Sequence, residues 1–120
     1  MAVRALRGAT TVDADTVEQV TRRTRALVTS LLERNDLIHD DLISMLFTAT
    51  EDVVCMFPAA AARTLGLGDV PLLCARELSV VGSTPRCIRL LAHVETDRPR
   101  AALHHVYLEG ARELRDDLPE

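Results

Sequence analysis

The sequence predicts an α+β domain in which a mixed β-sheet packs against helices. Three observations carry that reading. An opening stretch alternates in polarity, the segment from Asp13 to Asn35 has helical period, and short apolar runs separated by turn signals fill the chain from Leu42 onward. The order is β, α, β, short α, then several β, with no repeat, low-complexity tract or linker, so residues 1–120 are expected to form a single domain. A chain of this size buries about two-thirds of its unfolded surface, which leaves sizeable faces for other subunits.

Met1 to Val12 reads MAVRALRGATTV, with Ala2, Arg4 and Leu6 on one face of a strand that Gly8 is expected to end. Within Asp13 to Asn35, Val17, Val20, Thr24, Leu27, Val28, Leu31 and Leu32 form one stripe of an amphipathic cover helix, and Asp15 with Glu18 resembles a capping box. LISMLFTAT, from Leu42, reads as a central strand buried on both faces. Pro58 at a first helical position and Gly66 at a stop predict a short helix over Pro58 to Leu65. Val70 to Leu78 and Cys87 to Thr96 read as strands, the second with Arg89, His93 and Glu95 on one face. Pro99 to Arg115 is ambiguous between helix and strand, and the polar tail 116–120 is expected to be flexible.

Composition narrows the function. Hydrophobic residues make up 48% of the chain but aromatics only 2%, so no stacking platform for bases exists, and a net charge of -4 without long like-charge runs offers no footprint for nucleic acid or an anionic membrane. No apolar run approaches the roughly 20 residues of a membrane span. Three cysteines without ligand spacing and no signal-peptide core point to a reduced, cytoplasmic protein. Every basic residue is Arg, a permanently charged fork suited to carboxylate or phosphate. No Gly-rich phosphate loop is present, and the adjacent His104 and His105, with His39 and His93 isolated, predict no metal site.

The most informative stretch is Val70 to Leu91, where Cys74, Glu77 and Arg89 stand in or beside apolar runs. A charged group there is either on a solvated face or kept for a ligand, and Arg89 alone reads more simply as part of a polar outer face. Cys74 lacks a visible base and reads first as a small buried residue. In a regular strand Cys74 and Glu77 point to opposite faces, so a shared pocket requires a bulge near Ala75 and Arg76. The set of several Arg, one Glu, one Tyr and one Cys is rich in binding groups and poor in proton shuttles, which suits an anionic ligand that is held and polarised.

RGATTV at Arg7 to Val12, FPA at Phe57 to Ala59 followed by Arg63, VPLLCARE at Val70 to Glu77, CIR at Cys87 to Arg89 and HVYLE at His105 to Glu109 resemble the AroH-type chorismate mutases, in order and at matched intervals. The resemblance implies a homotrimeric pseudo-α/β-barrel with sites between subunits, converting chorismate to prephenate in the shikimate pathway of aromatic amino acid biosynthesis, with no cofactor. It also implies a helical turn and then a strand carrying Tyr107. Carried over residue by residue, it makes Arg7 and Tyr107 partners of the enolpyruvyl carboxylate, Arg89 a partner of that carboxylate and the ether oxygen, and Glu77 with the Cys74 region the holders of the ring hydroxyl. Phe57, Ala59, Arg63 and Leu114 match positions walling the pocket, and Arg115 matches one in the C-terminal lid. Ala60 stands where relatives often carry Lys, and Leu73 where they often carry a small polar residue. A Rid-type imine or enamine deaminase and a non-catalytic trimeric anion-binding module are the alternatives, separable by chorismate turnover.

Overall fold

A computed structural model describes residues 1–114. Five strands, β1 (Ala2–Thr11), β2 (Leu42–Ala49), β3 (Leu72–Arg76), β4 (Cys87–Thr96) and β5 (Val106–Tyr107), form one mixed sheet in the order β3-β2-β4-β1-β5. β4 runs antiparallel to β1 and β2, while β3 lies parallel to β2 and β5 parallel to β1. Helices α1 (Val17–Arg34) and α2 (Pro58–Arg63) cover one face. There Leu27, Val28 and Leu31 of α1 and Ala62 of α2 meet Leu6, Phe47, Ile88, Leu90 and Val106 in a continuous apolar core. The other face carries no α-helix among the described residues, and period-two alternation puts Arg7, Thr48, Arg89, His93 and Glu95 there.

α1 forms for the reason its sequence suggests: Val20, Thr24, Leu27, Val28 and Leu31 are buried at helical spacing. Its cap differs from expectation. Thr16 accepts the Gln19 N–H, whereas Asp15 accepts the N–H groups of Val54 and Cys55. The Cys55 thiol and the Val54 amide beside Asp15 hold its carboxyl below the usual carboxylate range. At the other end the buried Asn35 gives its side-chain amide to Leu31 O and His104 O and accepts from His104 N–H. That single side chain ties the helix end to the segment leading into β5.

Three strand expectations need correction. β1 does not end at Gly8 but continues to Thr11, because Gly8 pairs with Leu90 on one side and Val106 on the other. A Cβ on residue 8 would stand 3.0 Å from Leu27 Cδ1 and 3.2 Å from Val106 O. The glycine therefore marks a close approach of α1 and β5 to the sheet. Gly8→Val should destabilise the fold by about 1–3 kcal/mol, read as a lower urea midpoint at unchanged slope.

The central strand is β4, not β2, and β2 is buried on one face only: Met45 and Phe47 enter the core while Ile43 is exposed and Leu46 and Thr48 half-exposed. The strand after Val70 spans only Leu72–Arg76, and it is regular. The short helix stops at Arg63, two residues before the expected end, and Gly66 adopts a left-handed φ of 83° in the turn that follows.

The ambiguous segment resolves into a 3₁₀ turn at Arg100–Ala102, the two-residue β5, and a second turn at Glu109–Glu113. The expected flexible tail and Arg115 lie outside the described residues.

Candidate active site

Strand register gathers the polar residues into one row across the helix-free face. Arg89 on the central strand pairs with Thr48 on one side and Ala9 on the other. Arg7 shares a face with Ala9 two residues away, and Tyr107 pairs with Ala9 across the parallel β1·β5 junction. At the opposite edge Ala75 pairs with Thr48, and Glu77 follows at the same parity, its N–H donating to Ala49 O. From edge to edge the row runs Glu77, Thr48, Arg89, Arg7, Tyr107. With Leu46 and Leu91 as an apolar floor, these residues line a concavity of about 260 Å³.

The centre of this row is preorganised. Glu77 Oε2 accepts the Thr48 hydroxyl at 2.8 Å and lies 3.1 Å from Arg89 Nε, while its other oxygen accepts the Leu78 N–H. The Arg89 Nε atom is buried, yet its N–H is not aligned on Glu77 well enough to form a hydrogen bond. Glu77 thus holds the guanidinium by charge and leaves a donor unspent. Behind it, Cys87, Tyr107, Ala9 and Ala111 form a small buried cluster against which Leu114 packs. Burial pushes the Cys87 thiol up, and the neighbouring Arg89 only partly offsets this, so Cys87 stays a neutral packing group beside the guanidinium.

The remaining predicted residues lie elsewhere on the chain. The bulge that would bring Cys74 beside Glu77 is absent, so parity turns the Cys74 side chain to the opposite face, where it packs partly against the core. Its backbone is placed differently. Pro71 O and Glu77 N–H bond to β2, so alternation in the parallel ladder turns the N–H and C=O of Cys74 toward the open edge of the sheet.

Phe57, 71% exposed, and Ala60 line a larger cavity, about 540 Å³, together with Cys74. That cavity is mainly apolar, with Arg76 its single charged lining residue among those described, whereas the row carries Arg7, Glu77 and Arg89. Ala59 is buried in the core, Arg63 is exposed at the end of α2, and Leu73 projects from the helix-free face at 67% exposure.

Sequence reasoning missed Thr48, Leu46 and Leu91. Thr48 carried one usable signal, a hydroxyl in an apolar strand, but only the β2·β4 register shows that it stands opposite Arg89.

Residues 3–118 match the family model of chorismate mutase type I. The chain belongs to this family. It is 49% identical over 117 residues to the chorismate mutase AroH of Thermus thermophilus, covering 97% of this chain and 96% of the relative. To the chorismate mutase AroH of Bacillus subtilis (strain 168) it is 42% identical over 119 residues, covering 98% and 94%. The solved structure of a chorismate mutase from Clostridium thermocellum superposes with a TM-score of 0.89 at 43% identity, covering 91% of this chain and 97% of that one. For a type I chorismate mutase, the α+β architecture read from the sequence and the mixed sheet agree with that solved relative.

Proposed function

We propose that this chain isomerises chorismate to prephenate on the row Glu77, Thr48, Arg89, Arg7 and Tyr107, and that Arg89 supplies the main transition-state stabilisation. The observation that carries the reading is the buried Arg89 Nε–H, held beside Glu77 but without an aligned acceptor. In this rearrangement the ether C–O bond breaks as a C–C bond forms, and electrons move around a closed six-atom array with no proton transfer. A general acid or base has no part to play. Negative charge grows on the ether oxygen, and a fixed guanidinium stabilises that charge more than it does the substrate. Arg7 and Tyr107, next along the row, bind the enolpyruvyl carboxylate and fold the substrate into a compact reactive shape, which lowers the entropic part of the barrier.

Glu77 accepts the ring hydroxyl at the other end of the row, and the outward-facing backbone of Cys74 stands at the same sheet edge. Leu114 packs behind Tyr107, and Arg115, outside the described residues, is taken as a further substrate contact. Phe57 and Arg63, backed by the buried Ala59, act across a subunit boundary, because α2 lies on the helix-covered side of the sheet and a second copy must bring them to the row, whereas Leu73 stands on the same helix-free face as the row. We take the assembly to be a homotrimer of pseudo-barrel form, acting in the cytoplasm, where Cys55, Cys74 and Cys87 remain free thiols. No helix among the described residues is long and apolar enough to cross a membrane. Ala60 and Leu73 weaken capture of the ring carboxylate and raise KM without altering the chemical step. The test is consumption of chorismate by the purified protein with prephenate as product; binding without turnover, or turnover of an imine substrate alone, refutes the reading.

A further inference from the structure

We infer that Arg23, on α1 and outside the site, is a positioning residue that latches the segment carrying Tyr107 and Leu114 to the sheet. The inference rests on the reading of Tyr107 as a substrate contact. β5 is only two residues long, and beyond it the Leu108 N–H donates to Ala9 O. So short a ladder is a weak anchor for a side chain that must hold a carboxylate in register. The anchor comes from further along. Glu109 adopts a left-handed φ of 52°, unusual for a residue with a Cβ, and this turn directs Ala111 and Leu114 back onto Tyr107.

Glycine would adopt that φ without strain, and Gly110 follows immediately. What Glu109 adds is its carboxylate, 3.4 Å from Arg23 Nη1. The guanidinium is mostly buried, its side chain 13% exposed. It also donates from Nη1 to Thr11 O at 2.8 Å and from Nη2 to Asp13 Oδ2 at 3.0 Å. Thr11 completes the joint, because its hydroxyl oxygen accepts the Gly110 N–H at 3.0 Å. The fit is close: a Cβ on residue 110 would stand 2.8 Å from that oxygen. Arg23 therefore bonds to both sides of one seam, the end of β1 and the turn after β5, and the register of Tyr107 depends on it.

The test uses Arg23→Met and Glu109→Gln in the full-length protein, assayed well below their melting temperatures. Each is expected to raise the KM for chorismate about five-fold, the scale of one partly exposed ion pair, with kcat changed by less than about two-fold. In a Tyr107→Phe background the effect of Arg23→Met on KM should shrink below about two-fold, because the latch acts through the tyrosine. Hydrogen exchange at the Leu108 and Gly110 amides should accelerate about ten-fold in Arg23→Met.

An unchanged KM in both variants overturns the latch even if the melting temperature falls, and so does a KM effect that persists in full without the Tyr107 hydroxyl. If the wild-type protein proves inactive on chorismate, the functional reading fails separately. The exchange rates then decide the latch alone, and unaltered exchange refutes it.

Discussion

Arg89→Ala is expected to lower kcat by about 10³-fold, equivalent to about 4 kcal/mol of transition-state stabilisation, with a much smaller change in KM. The asymmetry follows from when the charge appears. The ether oxygen is nearly neutral in bound substrate and becomes anionic only as the C–O bond breaks, so the guanidinium acts mainly on the barrier. Arg89→Lys should recover little, because an ammonium point charge cannot serve the carboxylate and the ether oxygen together as a fork does. Fold integrity is not at stake, since the Arg89 side chain is 43% exposed on the helix-free face while its neighbours Ile88 and Leu90 hold the core. Steady-state kinetics beside a melting curve settle the matter: near-normal turnover in Arg89→Ala would remove this residue from the chemistry.

Glu77→Ala should reduce kcat/KM by about 10²-fold through two losses at once. The ring hydroxyl loses its acceptor, and Arg89 loses the carboxylate 3.1 Å away that holds it over the site. Because the second of these losses acts through Arg89, the double variant with Arg89→Ala should be less damaged than the product of the two single effects. Multiplicative effects would mean that Glu77 acts independently of Arg89. Little stability is expected to change, as Glu77 stands just past the end of β3 at the sheet edge. Thr48, which donates to the same carboxylate oxygen, makes a milder companion position.

Where packing and period coincide, the fold was legible. β4 has the boundaries that its alternation suggests, Cys87–Thr96, and the buried stripe of α1 is the one its spacing predicts except at Val17, which is exposed, and Leu32, which is half-buried. Legibility failed where a neighbour overrides local preference. Gly8 reads as a strand end, yet hydrogen bonds to strands on both sides and the close approach of Leu27 carry the strand through it. The two-residue β5 is too short for any periodicity to register.

The same division holds at the site. Residue chemistry alone marked Arg89 and Glu77 as costly in apolar surroundings, and the residue set as suited to holding an anion more than to moving protons. Parity alone also required that Cys74 and Glu77 point apart unless the strand bulged, and the regular β3 turns the Cys74 side chain away from Glu77. The motif pattern identified the family, and with it the reaction.

Only the tertiary structure decided which residues meet. Arg7, Thr48, Glu77, Arg89 and Tyr107 are spread over a hundred positions of chain and become one row because five strands pair in a particular order and register. Alternation within a strand says which residues share a face of that strand, but it carries no information about which strand lies beside it. That choice belongs to long-range hydrogen bonding and to the core on the other side of the sheet.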